Sequence, residues 1–89
     1  MPKAEISWKR VTGDGVKLQV YARRVSRDWL FYQREKRFDR WQPVPEPPLE
    51  DWLELLHALQ RLIPRRRYQP ADEEHLRRRI RERFPKAEV

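Results

Sequence analysis

The sequence contains no cysteine, two glycines, one methionine and two histidines in 89 residues, and it has no long apolar run. The lack of cysteine excludes disulfide bonds and thiolate metal sites. No stretch approaches the length of a membrane span, and the first ten residues, MPKAEISWKR, lack the apolar run of a signal peptide. We therefore expect a cytoplasmic chain with no membrane span, no cofactor, no metal and no small-molecule substrate.

Motifs that carry catalysis are also missing from the sequence. It has no phosphate-binding loop, no dinucleotide-binding glycine pattern, no zinc-protease motif and no zinc-ligand spacing. His57 and His75 could each act as a general base, but sequence spacing sets no nucleophile or orienting acid beside either one. The hydroxyl residues Ser7, Thr12 and Ser26 lie outside nucleophile motifs. We predict that the protein is not an enzyme.

Positive charge is abundant and unevenly distributed. The chain has 21 Lys and Arg against 14 Asp and Glu, a formal net charge of +7. Residues 1–42 hold 11 basic and 5 acidic residues, an excess of six positive charges, whereas residues 43–89 have an excess of only one. Most of the cations are arginine, which suits forked phosphate contacts and stacking on rings. Codon bias in a GC-rich genome would produce the same arginine excess, so both explanations stay open.

The first part of the chain, residues 4–42, shows the pattern of an antiparallel sheet. Residues 6–11 and 16–24 form two strand-like segments around an Asp-Gly pair, which is a strong hairpin signal. A third strand is predicted from residue 29 to residue 34. After a polar turn, a fourth strand is predicted at residues 38–42. Because that turn lacks glycine and asparagine, residues 29–42 could instead form one long bent strand.

A proline-rich connector at residues 43–48 separates these strands from two predicted helices. Its four prolines cannot extend a sheet ladder or enter a helix interior. Apolar residues at helical spacing predict one helix at 49–63 and a second at about 71–84. We therefore predict a single α+β domain over residues 1–89, a four-stranded antiparallel β-meander followed by two α-helices packed on one face.

Alternation along the predicted strands assigns their side chains to two faces. The face predicted to pack on the helices, with Trp52 as its plug, carries Ile6, Trp8, Val16, Leu18, Val20, Trp29, Phe31 and Trp41. The opposite, open face carries Lys17, Tyr21, Arg23, Tyr32, Arg34, Phe38 and Arg40. Aromatic rings on such a face can stack on bases while arginines pair with phosphates. Aromatic residues are also common in sheets because of their β propensity alone.

Arginine clusters accompany the predicted helices. Arg65, Arg66 and Arg67 follow the first helix, and five further arginines lie between residues 77 and 83. Acidic residues crowd the helix starts, so the charge pattern complements the helix dipoles and is largely explained without a ligand. Arg65, Arg66 and Arg67 are still candidates for contacts with a nucleic-acid backbone.

These patterns predict a small basic module that binds nucleic acid, RNA or single strands, through the open sheet face. The alternative is a protein–protein interaction or self-association module, for example a homodimer, that uses the open face or the apolar stripe of the first helix. Leu55 and Leu62 discriminate the two, because exposed leucines would indicate an apolar partner and buried ones would not. An anionic membrane surface is a third hypothesis, but the basic sheet lacks the amphipathic helix that usually accompanies such binding.

Overall fold

A computed structural model describes residues 5–26 and 28–89. The elements, in chain order, are β1 (Glu5–Val11), β2 (Lys17–Val25), β3 (Asp28–Arg34), β4 (Gln42–Val44), α1 (Leu49–Leu62) and α2 (Pro70–Arg83). The strands form one antiparallel sheet in the order β1-β2-β3-β4. The predicted α+β fold, a four-stranded meander followed by two helices, is confirmed.

The chain divides into two compact units, and the boundary lies between Glu46 and Pro47, within the predicted proline-rich connector. The sheet belongs to the first unit and the two helices to the second. The single domain and the packing of the helices on one sheet face stay predictions.

The β1–β2 hairpin forms around the predicted Asp-Gly turn. Thr12 closes this turn, since its backbone N–H donates to the carbonyl of Val16 (2.9 Å) and its hydroxyl oxygen accepts from the Val16 N–H (3.1 Å). Gly15 has a φ of +83°, in the left-handed region that glycine adopts without strain. The strand–turn–strand pattern is therefore supported by local hydrogen bonds and by a glycine at the left-handed position of the turn.

One face of the sheet is buried, as the alternation predicts. Its buried side chains are Ile6, Leu18, Val20, Ala22, Trp29 and Phe31. Trp8, on the same face, is half-buried, and its ring lies edge-on to Phe31 with the ring centres 6.1 Å apart. Val16, predicted in the second strand, precedes β2 and is half-buried in the turn.

The fourth strand differs from the prediction. It comprises Gln42–Val44, whereas the sequence pattern placed it at residues 38–42 and left 43–48 outside the sheet. Pro43 stands opposite Tyr32 in the ladder. The prediction was wrong because β4 is an edge strand, where a proline is tolerated since one side of the strand needs no partner.

Helix α1 buries a wide apolar stripe. Trp52 is 1% exposed, which confirms its predicted core position, and Leu56 and Leu59 are also buried. Leu55 is fully buried and Leu62 is half-buried. Leu55 therefore offers no exposed apolar surface. Its burial weakens the hypothesis that α1 binds an apolar protein partner.

Helix α2 begins with a reciprocal capping box. The Gln69 backbone N–H donates to the Asp72 carboxylate (2.8 Å), while the Asp72 backbone N–H donates to the Gln69 carbonyl (2.9 Å). Leu76 and Ile80 are buried on the predicted apolar stripe. Because this helix has few apolar side chains and many charged ones, its position depends on the capping box and on the two buried side chains.

Candidate nucleic-acid interface

The open face of the sheet consists of the strand side chains that alternate with the buried set. These are Glu5, Ser7, Lys9, Val11, Lys17, Gln19, Tyr21, Arg23, Val25, Asp28, Leu30, Tyr32 and Arg34, and each is exposed or half-exposed. Five of the predicted site residues lie on this face, namely Lys17, Tyr21, Arg23, Tyr32 and Arg34. The strand register therefore brings them together on one surface.

Tyr21 and Tyr32 are direct neighbours on β2 and β3, in a row that continues to Ser7 on β1 and to Pro43 on β4. The two tyrosine rings are stacked, with centres 4.7 Å apart and planes 19° apart. Since this distance matches the spacing of adjacent strands, the rings stand upright on the sheet rather than flat against it. They expose ring edges and outer faces, not one continuous flat platform.

Trp41 joins this aromatic cluster. Its ring is edge-on to Tyr21, with the ring centres 4.6 Å apart, and the Arg34 guanidinium lies 4.1 Å from the centre of a Trp41 ring. The prediction that grouped Trp41 with the buried face was wrong. Trp41 precedes β4, so strand alternation does not set its direction, and its contacts place it beside the open face.

Arg34 ties several segments together. Its Nε donates to the Gln19 side chain on β2 (2.7 Å), and its Nη1 donates to the backbone carbonyl of Asp39 (3.4 Å). A guanidinium has five N–H donors, so these two bonds leave further donors for a ligand. Arg34 thus positions its neighbours and keeps capacity for a phosphate.

The surroundings of Tyr21 raise the pKa of its phenol. Burial is the main cause, the neighbouring Tyr32 and Glu5 raise the pKa further, and Arg23 lowers it. The hydroxyl keeps its proton at neutral pH, as an ordinary phenol also does, and it can donate a hydrogen bond to an anionic oxygen.

Residues 35–41 form the β3–β4 loop, and this loop holds Phe38 and Arg40, which the sequence pattern placed on a strand. That placement was wrong. A turn spans Lys36 to Asp39, where the Asp39 N–H donates to the Lys36 carbonyl (2.9 Å) and the Lys36 N–H donates to the Asp39 carboxylate (3.1 Å). Phe38 is 95% exposed at this turn, and Arg40 is exposed beside it.

A groove of about 470 Å³ lies at the base of this loop. It is lined by Leu18, Gln33, Arg34, Glu35, Asp39, Arg40 and Gln42. Sequence reasoning left out Gln33, whose position has the parity of the buried face, and Gln42, the last residue of its predicted fourth strand, which pairs with Gln33 in the sheet. It also left out Lys36 and Arg37 because it treated their segment only as a polar turn.

Arg65, Arg66 and Arg67 are exposed in the segment between α1 and α2, in the second unit. Arg66 has a φ of +60°. Their contribution to nucleic-acid binding stays a prediction, as does the absence of catalysis by His57, which is exposed, and His75, which is half-buried.

In the described part of the chain, no helix is long and apolar enough to cross a membrane. Among the same residues, no three His, Asp or Glu side chains are grouped so that they could hold a metal ion. Comparisons of the chain with protein-family models, with curated proteins and with solved structures found no match.

Proposed function

We propose that this protein is a small basic module that binds nucleic acid, RNA or single strands, through the open face of its sheet. The observation that carries the proposal is the position of the Tyr21–Tyr32 stack between rows that bear cations. One neighbouring row contains Lys9 and Arg34, and the other contains Arg23, which lies opposite Glu5. Such a surface offers aromatic contacts to bases and positive charge to the adjoining phosphates.

The exposed cations provide the electrostatic part of the binding. Lys9, Lys17 and Arg23 are exposed on the open face, and Arg23 can make forked contacts with phosphate oxygens. The neutral Tyr21 phenol adds a hydrogen-bond donor without adding negative charge. Neutralisation of phosphates by these side chains releases counterions, so the affinity is expected to fall steeply as salt is added.

The aromatic part of the binding is restricted by the contacts within the cluster. Because Tyr21 and Tyr32 stack on each other and Trp41 covers part of Tyr21, bases reach ring edges and outer faces only. The bases of a single strand can turn to meet such groups, whereas paired bases are already stacked within a duplex. This favours a single-stranded ligand over a duplex.

A charge-matched pair of variants tests the proposal. Lys17→Gln/Arg23→Gln removes two exposed cations from the open face, and Arg61→Gln/Arg78→Gln removes two exposed cations from the helices. Fluorescence anisotropy of a short labelled RNA, and then DNA, is measured over a range of salt concentrations. We expect the first variant alone to weaken binding and to reduce the log–log salt slope by about 0.7 for each phosphate that it no longer neutralises.

Two results would count against the proposal. Equal weakening by both double variants would show that net charge, and not the open face, governs binding. No binding by the wild-type protein at physiological salt would show that the positive charge serves solvation only.

Self-association is the second candidate function, because the open face also carries exposed apolar side chains. Val11 is 61% exposed, Leu30 47% and Val25 45%. The sheet of a second copy could cover these residues. In the monomer, contact of their apolar side chains with water has an energetic cost. Light scattering over a range of protein concentrations tests this candidate, with Val25→Thr/Leu30→Thr expected to shift any dimer toward the monomer.

A further inference from the structure

Phe38 differs from the other aromatic side chains of the open face and its loop. The rings of Tyr21, Tyr32 and Trp41 contact one another, whereas Phe38 is 95% exposed. A single exposed apolar residue is common on protein surfaces and is not evidence of a site by itself. The structure of the loop that carries this ring, and the charges beside it, provide that evidence.

The turn that presents Phe38 is held by several hydrogen bonds. Lys36 and Asp39 are joined in both directions, at 2.9 Å between the Asp39 N–H and the Lys36 carbonyl and at 3.1 Å between the Lys36 N–H and the Asp39 carboxylate. Arg34 donates to the Asp39 carbonyl and is itself bonded to Gln19 on β2. The ring is therefore presented by a turn that is connected to the sheet, which lowers the entropic cost of ordering the loop around a ligand.

Positive charge flanks the ring on both sides in sequence. Lys36 and Arg37 precede Phe38, Arg40 follows it, and all three side chains are exposed. Within residues 5–26 and 28–89, none of these three side chains forms an ion pair. An exposed ring between exposed cations matches the alternation of bases and phosphates along a nucleic-acid strand.

We infer that Phe38 stacks on an unpaired base while the cations of its loop hold the adjoining phosphates, so that the protein prefers unpaired nucleotides to a duplex. This inference rests on the proposed function and names the side chains that would bind the unpaired base and its adjoining phosphates. A base inside a duplex has both faces covered by its neighbours, and only an unpaired or terminal base can offer a face to the ring.

The chemistry of the loop favours a nucleic acid over an anionic membrane. Membrane-surface binding needs a broad apolar face, and this loop supplies one ring. Glu35 and Asp39 add two exposed carboxylates to the same loop, and these lower its attraction for a uniformly anionic surface.

Three substitutions of Phe38 separate stacking from apolar contact. Phe38→Ala removes the ring, Phe38→Leu keeps apolar volume without a ring, and Phe38→Tyr keeps the ring. The probes are a short labelled RNA and a longer RNA duplex that contains the same sequence, so that terminal base pairs make up only a small fraction of the duplex binding sites. We expect Ala and Leu to lower single-strand affinity by about fivefold to a hundredfold, Tyr to retain it, and duplex affinity to change less than about twofold.

Salt dependence provides a second, independent readout. Phe38→Ala should leave the log–log salt slope unchanged because the ring contacts no phosphate. Arg37→Gln/Arg40→Gln should reduce that slope, again by about 0.7 for each phosphate that is no longer neutralised. The Phe38 variant thus tests base stacking, and the double arginine variant tests the phosphate contacts.

The inference is overturned if Phe38→Ala or Phe38→Leu binds the single strand as tightly as wild type, or if duplex binding falls equally. It is also overturned if phosphatidylserine vesicles bind the protein in a Phe38-dependent manner and the RNA does not. If Lys17→Gln/Arg23→Gln weakens RNA binding while Phe38→Ala does not, the proposed function stands and this inference fails. If the wild-type protein binds neither RNA probe nor the labelled DNA strand, both fail.

Discussion

The guanidinium of Arg34 lies 4.1 Å from the centre of a Trp41 ring, in cation–π geometry. The same tryptophan is edge-on to Tyr21, and the same arginine donates a hydrogen bond to Gln19. These contacts connect β2, β3 and the β3–β4 loop on the open face. The proposed binding surface is therefore organised by side-chain contacts as well as by the backbone ladder.

Replacement of Trp41 by alanine should destabilise the protein. The substitution removes the cation–π interaction, worth about 0.5–1 kcal/mol, and the aromatic pair with Tyr21, worth about 0.5–1.5 kcal/mol, in addition to apolar packing. We expect a decrease of about 1–3 kcal/mol in the free energy of unfolding measured with urea. Trp41→Phe, which keeps a ring, should be less destabilised than Trp41→Ala. Equal stabilities for the wild type and Trp41→Ala would contradict the contacts of Trp41 with Arg34 and Tyr21.

Trp52 and Phe38 provide a matched pair of aromatic truncations. Trp52 is 1% exposed and Phe38 is 95% exposed. We expect Trp52→Ala to decrease the free energy of unfolding by about 3–5 kcal/mol because it leaves a cavity. Phe38→Ala should stay within about 0.5 kcal/mol of wild type. A near-wild-type stability for Trp52→Ala would contradict its assignment to the core.

The two glycines of the β1–β2 turn should respond differently to alanine. A Cβ atom at either position meets no heavy atom within 4 Å, but Gly15 alone has a left-handed φ, at +83°. Gly15→Ala should destabilise the protein by about 1–2 kcal/mol through backbone strain. Gly13→Ala should be neutral or stabilising, because it only restricts the unfolded chain. Thermal unfolding of both variants checks this, and equal destabilisation would argue against the turn geometry.

Glu73 should make the stability of the helical unit depend on acidic pH. Its carboxylate accepts from Arg77 Nε at 2.8 Å and from Gln60 on α1 at 3.4 Å. The hydrogen bond from Arg77 is the main cause of a lowered Glu73 pKa, against a smaller opposing effect of burial. A lowered pKa in the folded state stabilises the fold above the unfolded pKa of about 4.3, and this contribution is lost as the pH falls through the folded value.

The test compares the wild-type protein with Glu73→Gln. At neutral pH we expect the variant to be less stable by about 0.3–1 kcal/mol, because the pair is partly exposed. At a pH below the folded pKa the two proteins should have the same stability. Glu54→Gln, at an exposed position of α1, serves as the control. A stability difference that persists unchanged into strong acid would exclude the ionised carboxylate as its source.

The strand and helix patterns predicted most of the secondary structure. The hairpin, β3 and both helices lie within a residue or two of the predicted bounds, because alternation and helical spacing reflect burial that repeats along each element. The segment from residue 35 to residue 44 was predicted less well. It has no glycine or asparagine to mark the turn, and the aromatic residues Phe38 and Trp41 resemble strand residues in the sequence.

Residue counts and periodicity in the sequence were enough to predict the α+β element order, the positive excess of the first half, and the shared face of Lys17, Tyr21, Arg23, Tyr32 and Arg34. The folded chain was needed to show that Tyr21 and Tyr32 stack, that Trp41 packs beside the open face, and that Phe38 is presented alone on a hydrogen-bonded turn. This division arises because alternation specifies a face within one strand only. Contacts between rings on different segments depend on the register of those strands and on the path of the loop that joins them.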